Sequence, residues 1–174
     1  FDRVDLSKYQ VLVLPERYRT NDQTIKALTS FATNGGNIIA IGSAVNSFAD
    51  KEGFDLKKKK TKEDDDSKKE PNLVPYDQRE KENIKNEITG SIFKSTPDAS
   101  HPLAFGYSSD YYSLKLSSDA FELLEKGSNV SYFPENSSNI SGYTGPNALK
   151  QVPNSLLFGI ERKGRGNILT QTKG

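Results

Sequence analysis

The stretch from Tyr9 to Asn46, YQVLVLPERYRTNDQTIKALTSFATNGGNIIAIGSAVN, constrains the fold more than any other part of the chain. Val11 to Leu14 is a continuous apolar run closed by Pro15, the pattern of a strand covered on both faces. Asn21 or Asp22 then offers a helix N-cap, Ile25, Leu28, Phe31 and Ala32 follow at helical spacing, and Gly35-Gly36 supplies a left-handed stop. Asn37 to Ile41 (NIIAI) is a second buried strand. A strand, a helix and a strand in this order imply a right-handed crossover between parallel neighbours. The Gly42-Ser43 turn that follows leads into another helix. It lies at the carboxyl end of a strand, where open parallel sheets place their chemistry.

That chemistry is short of reagents. The 174 residues include no cysteine and a single histidine, so thiol nucleophiles, disulfides and thiolate metal sites are excluded. One histidine without cysteine falls short of the three or four ligands a zinc site needs, and no cofactor is implied. The glycines at Gly35-Gly36 and Gly164 to Gly166 read as a helix stop and a hairpin turn, not as a phosphate cradle. A net charge of +1 gives no general attraction to nucleic acid or anionic membrane. No run approaches the roughly 18 apolar residues of a membrane span. Methionine is absent too, and the chain is expected to be a piece of a longer polypeptide.

The length suits one domain, spanning 1–174. Much of the low mean hydropathy of -0.70 is concentrated in a flexible charged insertion expected at about 55–75. Within it, KKKKTKEDDDSKKEPN carries almost no apolar residue to offset the entropy of ordering. Neither Lys57 to Lys60 as an anion patch nor Asp64 to Asp66 as a calcium site shows the spacing of a known site. Beyond it, the segment from Asp77 reads as a polar helix or irregular chain leading to a strand at Ile88 to Phe93. Tyr111, Tyr112, Leu114 and Leu116 suit another strand. Asp119 is read as capping a short helix through Phe121, Leu123 and Leu124, closed by Gly127. Val130, Tyr132 and Phe133 alternate as a strand, and residues 136–147 read as a glycine- and serine-rich loop. Ser155 to Ile160 and Asn167 to Thr170 form a late hairpin. The Asn-X-Ser sequons at Asn129, Asn136 and Asn139 are of a kind such loops produce by chance.

Two residues are weak candidates for catalysis. Ser43 sits at a strand-to-helix turn near helix amides, but GSA is not the full nucleophile-elbow sequence, and small residues there also serve packing. His101 is the sole imidazole and precedes Pro102 in an extended or turn conformation. A Ser43–His101–acid triad is geometrically conceivable; a hydrogen-bonded loop histidine is the preferred reading. Tyr107, Tyr111, Tyr112, Tyr132 and Tyr143 could instead line a glycan- or peptide-binding groove, although aromatics near strands more often pack the core or edge.

Taken together, DLSKYQVLVLP, TNGGNIIAIGSAVN, ITGSIF, SHPLAFGY followed by YYSLKL, and SGYTGPNALK with SLLFGIERKGRGNIL resemble the glutamine-amidotransferase-like domain of certain secreted bacterial proteins. The resemblance is to the domain C-terminal to the catalytic unit of zinc carboxypeptidases in Bacteroidetes-like lineages. It implies an α/β fold: a three-layer, flavodoxin-like, class I glutamine amidotransferase-like sandwich. Its sheet would be mostly parallel, with a late antiparallel hairpin and a piece missing at both ends. The superfamily's elbow cysteine is replaced here by Ser43, its late His-x-Glu pair is absent, and so are the peptidase's zinc ligands. The resemblance therefore implies a pseudoenzyme: a non-catalytic accessory domain of an exported (periplasmic, surface or secreted) peptidase, partnered by the catalytic domain of the same polypeptide. The alternatives are a serine hydrolase or acyltransferase using Ser43 and His101, and a glycan- or peptide-binding module.

Overall fold

The computed structural model of the chain describes residues 4–60 and 75–172. Its first elements are β1 (Val11–Leu14), α1 (Asp22–Thr33) and β2 (Asn37–Ile41). The Asn21 side chain accepts the Thr24 N–H at 2.8 Å, satisfying one of the free amides of the first turn. Leu28, Phe31 and Ala32 form the buried face of α1, and Gly35, at φ +112°, ends the helix in a conformation that suits glycine. β1 and β2 pair in parallel, Leu12 opposite Ile38. Only one face of β1 is covered: Val11 and Val13 are about half exposed, whereas Leu14 is buried. The apolar run predicts a strand covered on both faces, but β1 is an edge strand and no layer among the described residues covers its second face. After β2 the chain enters a 3-10 helix, Gly42–Ser47.

The rest departs from the expected three-layer, mostly parallel sandwich. α2 (Tyr76–Ile84) precedes β3 (Ile88–Pro97), β4 (Tyr111–Lys115), β5 (Ser128–Phe133) and β6 (Asn139–Thr144). Then come the single-turn α3 (Pro146–Leu149), β7 (Ser155–Lys163) and β8 (Gly166–Gln171). One eight-stranded sheet runs β1-β2-β8-β7-β5-β3-β4, with β6 also on β3, and it curls into a half-barrel. Only the β1–β2 and β2–β8 pairings are parallel; the other five are antiparallel. The physical reason is the connections. A parallel neighbour needs a crossover of a dozen or more residues, usually a helix, and beyond α1 the described α-helices are nine and four residues long.

Two local readings are corrected as well. Residues 117–127 form no helix; Phe121 makes an isolated bridge with Lys58, and its carbonyl accepts the Leu156 N–H. Residues 136–147 are not simply a loop, for they contain β6 and the start of α3. Of the charged stretch, residues 55–60 are described. Leu56 is buried, and the Lys59 ammonium donates to the carbonyls of Gln151 and Pro153. Residues 61–74, with the acidic run Asp64 to Asp66, lie outside the described residues.

Two apolar clusters hold the sheet. The larger joins α1, β2, the Gly42–Ser47 turn and Leu56 to Phe121, Leu124, Leu156 and Ile168. The smaller gathers Ile88, Phe93, Phe133, Ala148, Val152 and Leu157, with Phe93 and Phe133 edge to face at 5.8 Å. Because the Asn21 cap is a local bond at an exposed helix start, Asn21→Ala should lower stability by about 1 kcal/mol. Asn21→Asp should be close to neutral, in chemical denaturation monitored by circular dichroism.

Candidate functional site

The carboxyl ends of β1 and β2 meet at a cleft of about 660 Å³, within the range of small-molecule sites. Its wall is polar and carries Arg17, Arg19, Asp22, Ser43, Asn46 and Lys51. At the turn itself the left-handed residue is Gly42, at φ +60°. The strained position that presents a nucleophile in an elbow therefore carries no side chain here.

Ser43 is held by the end of β1. Its Oγ donates to Glu16 Oε1 and its backbone N–H donates to Glu16 Oε2, both at 3.0 Å. The same Oγ accepts the N–H of Arg17 at 2.9 Å. Arg17 adopts φ +67°, unusual for a residue with a Cβ, and the conformation aims its amide at Ser43. An oxyanion hole needs amides directed at empty space where negative charge will develop. Here the Ser43 amide is already met by a carboxylate, which would repel an oxyanion.

His101 belongs elsewhere. Its Nδ1 accepts the Leu103 N–H at 3.2 Å and caps the 3-10 turn Pro102–Ala104. That turn gives Leu103 and Ala104 to a second, smaller cavity of about 150 Å³. Ser43 and His101 are thus built into different local arrangements, each with its own hydrogen-bond partners. Of the tyrosines, Tyr107 and Tyr111 come together in the smaller cavity, edge to face at 5.5 Å. Tyr112 faces away from it, opposite Lys94 on β3, and Tyr143 lies opposite Gly90 with its hydroxyl on the Ile84 carbonyl. Successive residues of a strand point to opposite faces, so the pair Tyr111-Tyr112 cannot serve one groove.

A partly buried charge cluster adjoins the larger cleft through Asn46, whose Nδ2 donates to Asp119 Oδ2 at 3.2 Å. Burial pushes the Asp119 carboxyl up, but hydrogen bonds from Lys58 and Asn46 and the charges of Lys58 and Lys115 outweigh it. Its pKa ends below the ordinary value. Lys58 pairs with the carboxylate at 2.7 Å. Lys115, only 2% exposed, donates from Nζ to the Asp119 carbonyl. Burial lowers its pKa from 10.5 to about 8, against the opposing pull of Asp119. Lys115 lines neither cavity, so its lowered pKa belongs to packing. Among the described residues, no group of three or more His, Cys, Asp or Glu could hold a metal ion, and no helix is long and apolar enough to cross a membrane.

Glu16 and Arg17 were missed by the sequence reading. The available signal was a carboxylate just beyond a strand whose parallel neighbour ends in the Gly-Ser turn; the left-handed Arg17 left no mark in composition or periodicity.

No family model matches the chain, and no characterised protein sequence matches it. Solved structures do. The chain is similar to a ThuA-like protein from Parabacteroides merdae, with 14% identity and a TM-score of 0.55, over 97% of this chain and 61% of that one. It is similar to a β-galactosidase from Bacillus circulans sp. alkalophilus, with 11% identity and a TM-score of 0.54, over 98% of this chain and 21% of that one. A β-galactosidase from Rahnella sp. R3 gives 10% identity and a TM-score of 0.50, over 99% and 21% respectively. The chain thus spans about a fifth of the β-galactosidases and three-fifths of the ThuA-like protein. At these identities the likeness is one of fold. ThuA-like proteins have a glutamine-amidotransferase-like fold, so at that coarse level the likeness agrees with the sequence resemblance; nothing links this chain to carboxypeptidases.

The Lys115 pKa sets a pH dependence with a definite sign. Between about pH 8 and 10.5 the unfolded chain holds a proton that the native state has released, so stability rises with pH across that window. Lys115→Met should abolish this rise. Relative to the variant, the native sequence should gain on the order of 3 kcal/mol between pH 7 and 10.5, read from denaturation midpoints of both proteins.

Proposed function

We propose that the chain is a non-catalytic module that positions or stabilises a catalytic unit lying outside it. The observation that carries this reading is the Glu16 clamp: one carboxylate takes both the hydroxyl and the amide of Ser43, while the strained turn position is Gly42. A reactive serine needs a free base on its hydroxyl and an uncommitted amide for the oxyanion. Here both groups serve to tie β1 to the turn after β2. The sequence argument points the same way, since the elbow thiol and the late His-x-Glu pair of active amidotransferases are missing.

The catalytic unit we propose is of zinc carboxypeptidase type, in an exported bacterial protein. This part of the reading rests on the sequence motifs alone. The short span of the chain relative to the β-galactosidases it resembles is compatible with a module of a larger enzyme.

An excess of a fluorophosphonate probe, which esterifies activated serines, should leave the protein unlabelled from pH 6 to 9. Labelling that disappears in Ser43→Ala would overturn the reading and favour the hydrolase alternative.

A further inference from the structure

The larger cleft holds more than the occupied Ser43. The guanidiniums of Arg17 and Arg19 line it, both on exposed residues, and neither enters a hydrogen bond or ion pair among the described residues. The other charges of its wall offset one another, for the Lys51 ammonium lies 3.5 Å from the Asp22 carboxylate. Two positive charges are left over. Most of the neutral polar groups are engaged: Asn21 accepts the Thr24 N–H, Glu16 holds Ser43, and Asn46 donates to Asp119. The hydroxyls of Thr20 and Ser47, on half-buried residues, have no partner among the described residues. Tyr18 and Ile25 supply an apolar wall and pack against the larger core cluster. The left-handed backbone at φ +67° would suit glycine or asparagine better than arginine. The Ser43 hydroxyl, by accepting the Arg17 N–H, fixes that backbone, so the clamp anchors a residue whose side chain lines the cleft.

Charge, size and the free donors narrow the occupant. The guanidinium fork matches the paired oxygens of a carboxylate or a phosphate. A carboxylate would answer only one of the two uncompensated charges, whereas a phosphate monoester carries about −1.5 to −2 at pH 7. Inorganic phosphate has that charge but would leave most of a 660 Å³ cleft unfilled. We propose that the cleft binds a small organic phosphate monoester. Its phosphoryl group sits on Arg17 and Arg19, and its hydroxyl-bearing body lies toward Thr20 and Ser47, against Tyr18 and Ile25. The phosphoryl group keeps away from the Ser43 amide, where the Glu16 carboxylate would repel it. α1 begins at this cleft, and the positive end of its dipole adds to the attraction. Asp22 is the opposing group in the wall. The inference is independent of the non-catalytic reading: it uses neither the hydroxyl nor the amide of Ser43 as a ligand contact, and it holds for a binding module and an enzyme alike.

Isothermal titration calorimetry of the protein with glucose 6-phosphate at pH 7.5 tests it. The ester should bind, inorganic phosphate and the singly charged glucuronate should each bind about tenfold more weakly, and glucose should give no heat. Arg19→Gln should weaken the ester about tenfold. Arg17→Asn should do the same, since asparagine removes the guanidinium yet suits the left-handed backbone. Asp22→Asn should strengthen binding severalfold by removing the opposing carboxylate and releasing Lys51, a gain that a loosened fold would not produce. No binding of glucose 6-phosphate at millimolar concentration overturns the proposal. So does inorganic phosphate, glucuronate or glucose binding as tightly as the ester, or an ester affinity that neither Arg17→Asn nor Arg19→Gln reduces.

Discussion

The parallel docking of β8 on β2 is the contact through which the two halves of this molecule become one. Ile38 and Ile168 face each other across the pairing, and neither is exposed to solvent. They are brought together over a long chain separation, so their burial must offset a substantial loop-closure entropy. Neighbouring polar contacts fix the register. Asn167 donates to Asn37 at 2.9 Å, the Arg165 amide donates to the Thr33 carbonyl, and the Arg165 guanidinium reaches the Asn34 carbonyl. The turn of the late hairpin is therefore seated on the end of α1. From that junction the parallel β1–α1–β2 unit extends one way and the antiparallel strands the other.

This junction also places the two cavities. Ile41, the last residue of β2, lies in register with Gln171 of β8. The chain turns at Gly42 toward the Ser43 cleft on one side, while Gln171 lines the smaller pocket on the other. Both sit at the carboxyl edge of the parallel strands, where a ligand meets chain ends and turns. Their contents differ in kind. The larger cleft is polar, and its serine is consumed in a structural clamp. The smaller one is lined largely by apolar and aromatic side chains, Leu103, Tyr107, Tyr111, Val130 and Leu157 among them.

The strand-helix-strand unit, the Gly35 helix stop and the β7–β8 hairpin were legible because each is written in local signals: periodicity, caps and turn residues. β4 shows where such signals fail. Tyr112, Leu114 and Leu116 mark a strand by alternation, and alternation alone would turn these apolar residues inward. Instead Leu114 and Leu116 are half exposed, and Ser113 and Lys115 are buried. The face is set by the register against β3, where Ile92 lies opposite Leu114 and Phe93 opposite Ser113. Phe93 belongs to the inner cluster, so its partner goes inward whatever its polarity.

The candidate site divides along the same line. The residue types alone determined that thiol chemistry is absent, that one imidazole exists, and that a tight turn follows the second strand. Only the tertiary structure decided that Ser43 answers to Glu16 and that His101 caps a separate turn. It also decided that two of the five candidate tyrosines share a pocket, and that the sheet is mostly antiparallel rather than mostly parallel. The physical reason is range. Caps, turns and periodicity act within a few residues and are printed in the sequence. Clamps, pockets and strand order are made by groups far apart in the chain, and exist only once long-range burial has brought those groups together.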